Sequence, residues 1–168
     1  MTEKQYVFAT VHRSENTDNI ERLRNILHAF HEISQVTPFV FAVHPRTSKL
    51  LVKEGLFSLI PHVQVIEPLN YIDNLSLQMN ASVILTDSGG MQKEAMWLGV
   101  PCVTLREETE WVETVESQMN LLAGAAKESI IQSYQKMIGR KPPQDLPAQA
   151  PVKAGEQVVQ ILAHENTL

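Results

Sequence analysis

Four short stretches carry the side chains whose types and spacing could do chemistry. In residues 85–95 (LTDSGGMQKEA) an apolar run ends in Asp87, two adjacent glycines follow Ser88, and helical spacing begins. With no Cβ on Gly89 or Gly90, the backbone amides can approach an anion closely. The first turn of a helix adds unpaired N–H donors and a partial positive charge. Ser88 adds a hydroxyl. The competing reading is a strand-to-helix turn that needs glycine only for its dihedral angles. Glu94, one turn into the helix, weighs on that choice. A carboxylate is a poor neighbour for phosphate, but it suits a ribose diol that presents two hydroxyl donors. An anion cradle beside a diol acceptor describes a nucleotide; the plain alternative for Glu94 is a solvated helix residue.

Residues 10–16 (TVHRSEN) follow an apolar run and would project His12 and Arg13 from its carboxyl end. Histidine can hydrogen-bond a diphosphate or move a proton near neutral pH, and arginine pairs with phosphate or carboxylate. Glu15 and Asn16 could instead fix the loop. Residues 43–47 (VHPRT) repeat the arrangement, with Pro45 halting the extended run and turning His44 to the same side. Residues 106–113 (REETEWVE) place Arg106 after a further run, with Thr109 and Glu110 as supports. A lone loop histidine is more often structural than functional, but His12, His44, Arg106 and the glycine turn share one edge if the runs form one parallel sheet. Cys102, inside an apolar run, reads as packing rather than as a nucleophile. Trp97 reads as core; Trp111 is open between core, interface and sugar platform.

The elements that must position these residues are short apolar runs at 6–11, 39–43, 63–66, 82–86 and 101–105, with a weaker one at 120–123. Their near-continuous apolarity suits strands buried on both faces of a parallel sheet. Between them lie helical patterns. Residues 18–34 put Ile20, Leu23, Leu27 and Phe30 on one stripe, opened by Asp18 or Asn19 as N-cap. Residues 47–59, 71–80, 90–98 and 126–138 read as further helices. The alternation predicts an α/β fold with a doubly wound, Rossmann-like parallel sheet, which binds ligands at the carboxyl ends of its strands. Residues 1–138 form this domain. Four prolines in 139–155 predict a loop over 139–152, and 153–168 a closing helix packed on the same domain.

Bulk properties narrow the function classes. The 168 residues are 43 % hydrophobic, enough for a real core, and the net charge of −5 without a basic run disfavours nucleic acid as partner. One cysteine forms no internal disulfide and no zinc knuckle, so no metal site is expected. No run approaches the ~20 apolar residues of a membrane span, and the amino terminus lacks a signal-peptide pattern. A soluble, cytoplasmic protein without membrane contact is expected.

Taken together, TVHRSENTDN, VHPRT and the stretch from EPLNYIDNL through TDSGGMQKEAMWLGVP to REETEWVETVE resemble the non-hydrolysing UDP-N-acetylglucosamine 2-epimerases, specifically their carboxyl-terminal half. The resemblance runs over residues 6–122, and HRxEN followed by DSGGxQxE is its most specific part. The VHPRT and ETEWVE wording is similar to the branch acting on UDP-linked diacetamido-uronic acids. The resemblance implies the second, UDP-holding domain of a glycosyltransferase-B type fold. It also implies inversion at C2 by anti elimination of UDP to a 2-acetamidoglucal, then re-addition, with no cofactor or metal. By motif position it implies that His12, Ser88, Gly89 and Gly90 contact the diphosphate, Glu94 the ribose and Arg106 the phosphate side of the cleft. Arg13 and His44 join the UDP-binding set. His12 and Arg106 are the catalytic candidates, and Asn16, Thr109 and Glu110 support the site.

Three departures stand beside the match. The family's amino-terminal domain, with the carboxylates expected to handle the C2 proton, has no counterpart in these motifs. A missing amino-terminal domain or second subunit is therefore an expected partner, and an apolar face left by it would favour a homo-oligomer or modest stability. Asn74 stands where many members carry an aromatic residue near uracil, which leaves base stacking open. Gln118 stands where glycine is usual, and the proline-rich tail lacks the usual glycine-bearing turn. The chain is expected to bind UDP or a UDP-sugar and to be inactive or weak alone. The alternatives are a non-catalytic nucleotide-sugar binding module and the donor domain of a glycosyltransferase.

Overall fold

The computed structural model describes residues 5–143. Six strands, β1 (Val7–Thr10), β2 (Phe39–Ala42), β3 (Gln64–Ile66), β4 (Val83–Thr86), β5 (Cys102–Thr104) and β6 (Asn120–Leu122), form one sheet in the order β3-β2-β1-β4-β5-β6. Every pairing is parallel. This is the doubly wound arrangement expected from the alternating pattern, and all strand carboxyl ends lie on one edge.

Period-two alternation sends neighbouring residues to opposite faces, and both faces are covered. Val7 and Ala9 of β1, Phe41 of β2, Leu85 of β4 and Val103 of β5 lie in one buried cluster, with Leu23, Leu27 and Phe30 of α2 (Ile20–Ser34) and Ile130 and Met137 of α7 (Lys127–Met137). Phe8, Val40, Ile84 and Cys102 lie in the other, with Met91 and Ala95 of α5 (Gly89–Trp97). Asn19 opens α2, its Oδ1 accepting from the backbone N–H of Glu21 and Arg22 at 3.1 and 3.2 Å. The edge strand β3 departs from expectation: Gln64 and Val65 are exposed, because β3 pairs with a neighbouring strand, β2, on one side only.

Other differences lie in the connections. A short helix, α1 (Ser14–Thr17), precedes α2, which the residue pattern did not reveal because a single turn has no periodicity. The helix expected over 47–59 is α3 (Pro45–Lys53), broken by Gly55 in a left-handed conformation (φ 65°) and followed by a 3-10 turn, Leu56–Leu59. Pro45 takes the first helical position, where its missing N–H costs nothing. The remaining helices are α4 (Tyr71–Met79) and α6 (Val112–Glu116), the latter not foreseen. Trp97, expected in the core, is 36 % exposed on α5, with Lys93 Nζ 5.5 Å from its ring centre.

Gln118 adopts φ 58°, alone among the described non-glycine residues in having positive φ. Residues 139–143 are irregular, as expected; the loop reading of 144–152 and the helix reading of 153–168 lie outside the described residues. Among the described residues no helix is long and apolar enough to cross a membrane, and no group of three or more His, Cys, Asp or Glu side chains could hold a metal ion.

Candidate functional site

The site is organised by Asp87, which the sequence reading treated only as the end of a strand. Its fully buried carboxylate accepts from the backbone N–H of His12 at 3.0 and 3.1 Å, from that of Arg13 at 2.9 Å and from Asn16 Nδ2 at 3.1 Å. A buried carboxylate is stable only when so satisfied. The available signal was an acid at the end of an otherwise apolar strand, which must find donors from a neighbouring loop. Asn16, also fully buried, donates to Leu105 O at 2.9 Å and accepts from Arg22 Nε at 3.2 Å. The loops after β1, β4 and β5 are thereby joined. Thr47 Oγ1, in the first turn of α3, donates to Val11 O at 2.7 Å and ties the helix after β2 to the segment after β1.

Five candidates meet in one cleft of about 410 Å³: His12, His44, Ser88, Gly90 and Glu94 all line it, over a floor that includes Thr10 and Ala42. The His12 and His44 rings lie 5.9 Å apart. His44 caps α3, its Nδ1 accepting from Arg46 N at 3.2 Å. Ser88 caps α5 with a long contact of 3.5 Å from Met91 N, which leaves its hydroxyl loosely engaged. Glu94 Oε2 accepts from Gln78 Nε2 at 2.6 Å. Tyr71 and Asn74 of α4 also line it.

Neither Gly89 nor Gly90 has a positive φ, so dihedral freedom does not explain the pair. The two differ in surroundings. A Cβ on Gly89 would stand 2.9 Å from Trp111 Nε1 and 3.6 Å from Arg13 Nη2, so packing excludes it. A Cβ on Gly90 would meet only Ser88 Oγ, at 3.9 Å, and would project into open space. At Gly90 the protein's own atoms give no reason for glycine.

Arg13, Gly89, Arg106, Asn16, Thr109 and Glu110 do not line this cleft. Arg106, 7 % exposed, donates to Glu110 at 2.9 and 3.1 Å and to Glu15 at 3.2 Å. The Glu110 hydrogen bond raises the Arg106 pKa and lowers that of Glu110. The guanidinium is thus held by two carboxylates at the strand edge. Thr109 Oγ1 donates to Gln92 Oε1 at 2.6 Å, and Gln92 Oε1 also accepts from Asn120 Nδ2 at 3.3 Å, anchoring the loop after β5 to α5 and β6. Trp111, 37 % exposed, stacks near Lys93 Nζ at 4.8 Å from its ring centre and packs over Gly89. Cys102 is packing, as expected: burial pushes its thiol up to about 12.

A parallel sheet whose order reverses between β1 and β4, with a cleft at that switch point beside a helix N-terminus, is a Rossmann-like α/β domain of the kind found in glycosyltransferase-B folds. The family model described as UDP-N-acetylglucosamine 2-epimerase matches residues 1–163. The chain belongs to that family.

Among curated relatives, a UDP-N-acetylglucosamine 2-epimerase homolog of Methanococcus maripaludis is 50 % identical over 139 residues, 81 % of this chain and 38 % of the relative. The UDP-2,3-diacetamido-2,3-dideoxy-D-glucuronate 2-epimerase of Pseudomonas aeruginosa is 44 % identical over 136 residues, 80 % of this chain and 38 % of the relative. A crystal structure of the Methanocaldococcus jannaschii UDP-GlcNAc 2-epimerase, in complex with UDP-GlcNAc and UDP, superimposes with a TM-score of 0.86 at 42 % identity, covering 97 % of this chain and 46 % of that one. The chain therefore spans less than half the length of these relatives.

Proposed function

We propose that this chain supplies the UDP-binding wall of a sugar-nucleotide 2-epimerase. The observation that carries the reading is the empty space over Gly90, between the loosely held Ser88 hydroxyl and the Glu94 carboxylate in one cleft. A nucleoside diphosphate fits its chemistry from end to end. The diphosphate sits over Ser88, Gly89 and Gly90, where first-turn N–H groups lack intrahelical acceptors. His12 and His44 donate from the opposite side, Glu94 accepts from the ribose diol, and the base lies toward α4.

His12 assists departure of UDP during elimination, and the same contacts hold UDP for re-addition to the other face of C2. Arg106, fixed by Glu15 and Glu110, and Arg13, beside Gly89, stand at the rim where the sugar end of the ligand emerges. Elimination also requires a base at C2 on the other side of the cleft, so the 168-residue chain binds UDP but epimerises UDP-N-acetylglucosamine weakly or not at all by itself. The uronic-acid branch remains within this proposal.

Calorimetric titration of UDP into the chain tests the reading, beside a Gly90→Asp variant that places a carboxylate in the cradle. Binding in the unaltered chain and its loss in the variant are expected. Absence of UDP binding to the unaltered, folded chain would sink the proposal, and efficient epimerisation by the chain alone would overturn the division of labour.

A further inference from the structure

Arg22 stands in the first turn of α2 and does not line the cleft, yet it reaches the segment that carries His12. Its Nε donates to Asn16 Oδ1 at 3.2 Å, while Nη1 and Nη2 donate to the two carboxylate oxygens of Glu107 at 2.8 and 2.9 Å. A guanidinium has donors and no acceptor, so the group it meets on Asn16 is the oxygen. The Asn16 amide then gives its NH₂ to two acceptors, Asp87 Oδ2 at 3.1 Å and Leu105 O at 2.9 Å. Turned over, the same amide would set its oxygen against a carboxylate and a carbonyl, and its NH₂ against a guanidinium. All three contacts would be lost together. Asn16 is fully buried, so water cannot replace them.

Resting on the UDP reading above, we propose that Arg22 is a positioning residue for the diphosphate end of the cleft: through Asn16 it fixes the Asp87 carboxylate, and through Asp87 the backbone from which His12 enters the cleft. The links from Arg22 Nε to Asn16, from Asn16 to Asp87 and from Asp87 to His12 N are hydrogen bonds of 3.2, 3.1 and 3.0 Å. Asp87 Oδ1 also lies 3.9 Å from His12 Nε2, so a shift of the carboxylate is felt by the ring as well as by the backbone. A ligand-binding side chain keeps its place only when the groups behind it are themselves held. Glu107 serves a different end. It engages Nη1 and Nη2 alone, and its side chain is 64 % exposed, so water can take its place at those nitrogens without disturbing the contact at Nε.

The test is calorimetric titration of UDP into the unaltered chain and into Arg22→Met, Glu107→Gln, Asn16→Ala and the Asn16→Ala, Arg22→Met double variant, with circular dichroism and urea midpoints confirming that each is folded. Methionine keeps an apolar stem and offers no donor. Arg22→Met is expected to weaken UDP binding by about five- to tenfold. Glu107→Gln, which removes the ion pair and keeps the contact at Nε, is expected to stay within about twofold of the unaltered chain. In the Asn16→Ala background Arg22→Met should cost no further affinity, because the link through which it acts is gone. A role confined to folding would move the urea midpoints and leave the affinities of the folded variants alone. Unchanged affinity in folded Arg22→Met, an equal loss in Glu107→Gln, or the same loss with and without Asn16 overturns this inference while leaving the diphosphate site standing. If Asn16→Ala does not fold, the comparison of Arg22→Met with Glu107→Gln decides. Failure of the unaltered chain to bind UDP overturns the site reading and the inference with it.

Discussion

The carboxylate of Asp87 and the side-chain amide of Asn16 meet at 3.1 Å with both residues fully buried, and through them three strand-end loops become one rigid edge. Asp87 satisfies two backbone N–H groups, of His12 and Arg13, that would otherwise be orphaned. Asp87→Asn retains the shape but turns a donor toward donors. We expect a loss of about 1–3 kcal/mol in urea denaturation, the cost of unpaired buried polar groups. UDP affinity is expected to fall as well, because the His12 loop is no longer held. Unchanged stability would show that the loops are fixed by other contacts.

The two glycines of the cradle predict opposite outcomes. Gly89→Ala drives a Cβ into Trp111 and is expected to cost about 1–3 kcal/mol, with a changed tryptophan emission. In a Trp111→Ala background most of that cost disappears, and the coupling measured in the double-mutant cycle reports the contact. Gly90→Ala meets no protein atom closer than 3.9 Å and removes a helix glycine, so the free protein is expected to gain up to about 1 kcal/mol. The same variant is expected to lose UDP affinity. Stability rising while affinity falls is the signature of a glycine kept for a ligand.

That contrast marks how far the residues could be read without coordinates. The sheet was legible because its strands are buried on both faces and their apolarity survives any tertiary context, and the strand-end positions of His12 and His44 followed from it. The difference between Gly89 and Gly90 was not, because it depends on Trp111, distant in sequence and brought over Gly89 by the loop after β5. Asp87 and Gln78 escaped for a related reason. A buried polar residue has no meaning until its partners are known, and theirs lie on other elements. Trp97 was misplaced because hydrophobicity was weighed without the position of α5's outward face.

Gln118 occupies a left-handed conformation at φ 58°, which glycine adopts without Cβ strain. The expectation of glycine at this position has its physical reason here. Gln118→Gly is expected to stabilise the chain by about 1 kcal/mol, less whatever the exposed hydrogen bond from Arg140 Nη2 to Gln118 Oε1 contributes. Urea denaturation at neutral pH measures it, and a destabilised variant would mean that the Arg140 contact outweighs the backbone strain.

Burial pushes the Cys102 thiol up to about 12, far above the usual thiol range. Alkylation at pH 8 is therefore expected to be negligible in the folded chain and complete on unfolding. The rate of iodoacetamide labelling against urea concentration should follow the unfolding transition; prompt labelling in buffer alone would show that the β5 region opens locally.

Arg22 and Glu107 form a two-pronged pair, Nη1 to Oε1 at 2.8 Å and Nη2 to Oε2 at 2.9 Å, joining α2 to the loop after β5. The hydrogen bond to Arg22 holds the Glu107 carboxyl below its ordinary value of 4.5. A carboxyl with a lowered folded pKa binds its proton less readily folded than unfolded. Its stabilisation is therefore fully present above about pH 4.5 and is lost as pH falls through the folded value. Solvent reaches the Glu107 side chain, which is 64 % exposed, so the contribution is small, about 0.5–1 kcal/mol at neutral pH. Glu107→Gln should be less stable than the unaltered chain by that amount at pH 7, the difference closing as pH falls through the folded pKa of Glu107. Added salt should narrow the gap at pH 7, since the pair is screened at the surface. A gap that persists into acid would assign the stabilisation to the neutral contacts of the side chain, which approaches Gly124 closely, rather than to its charge.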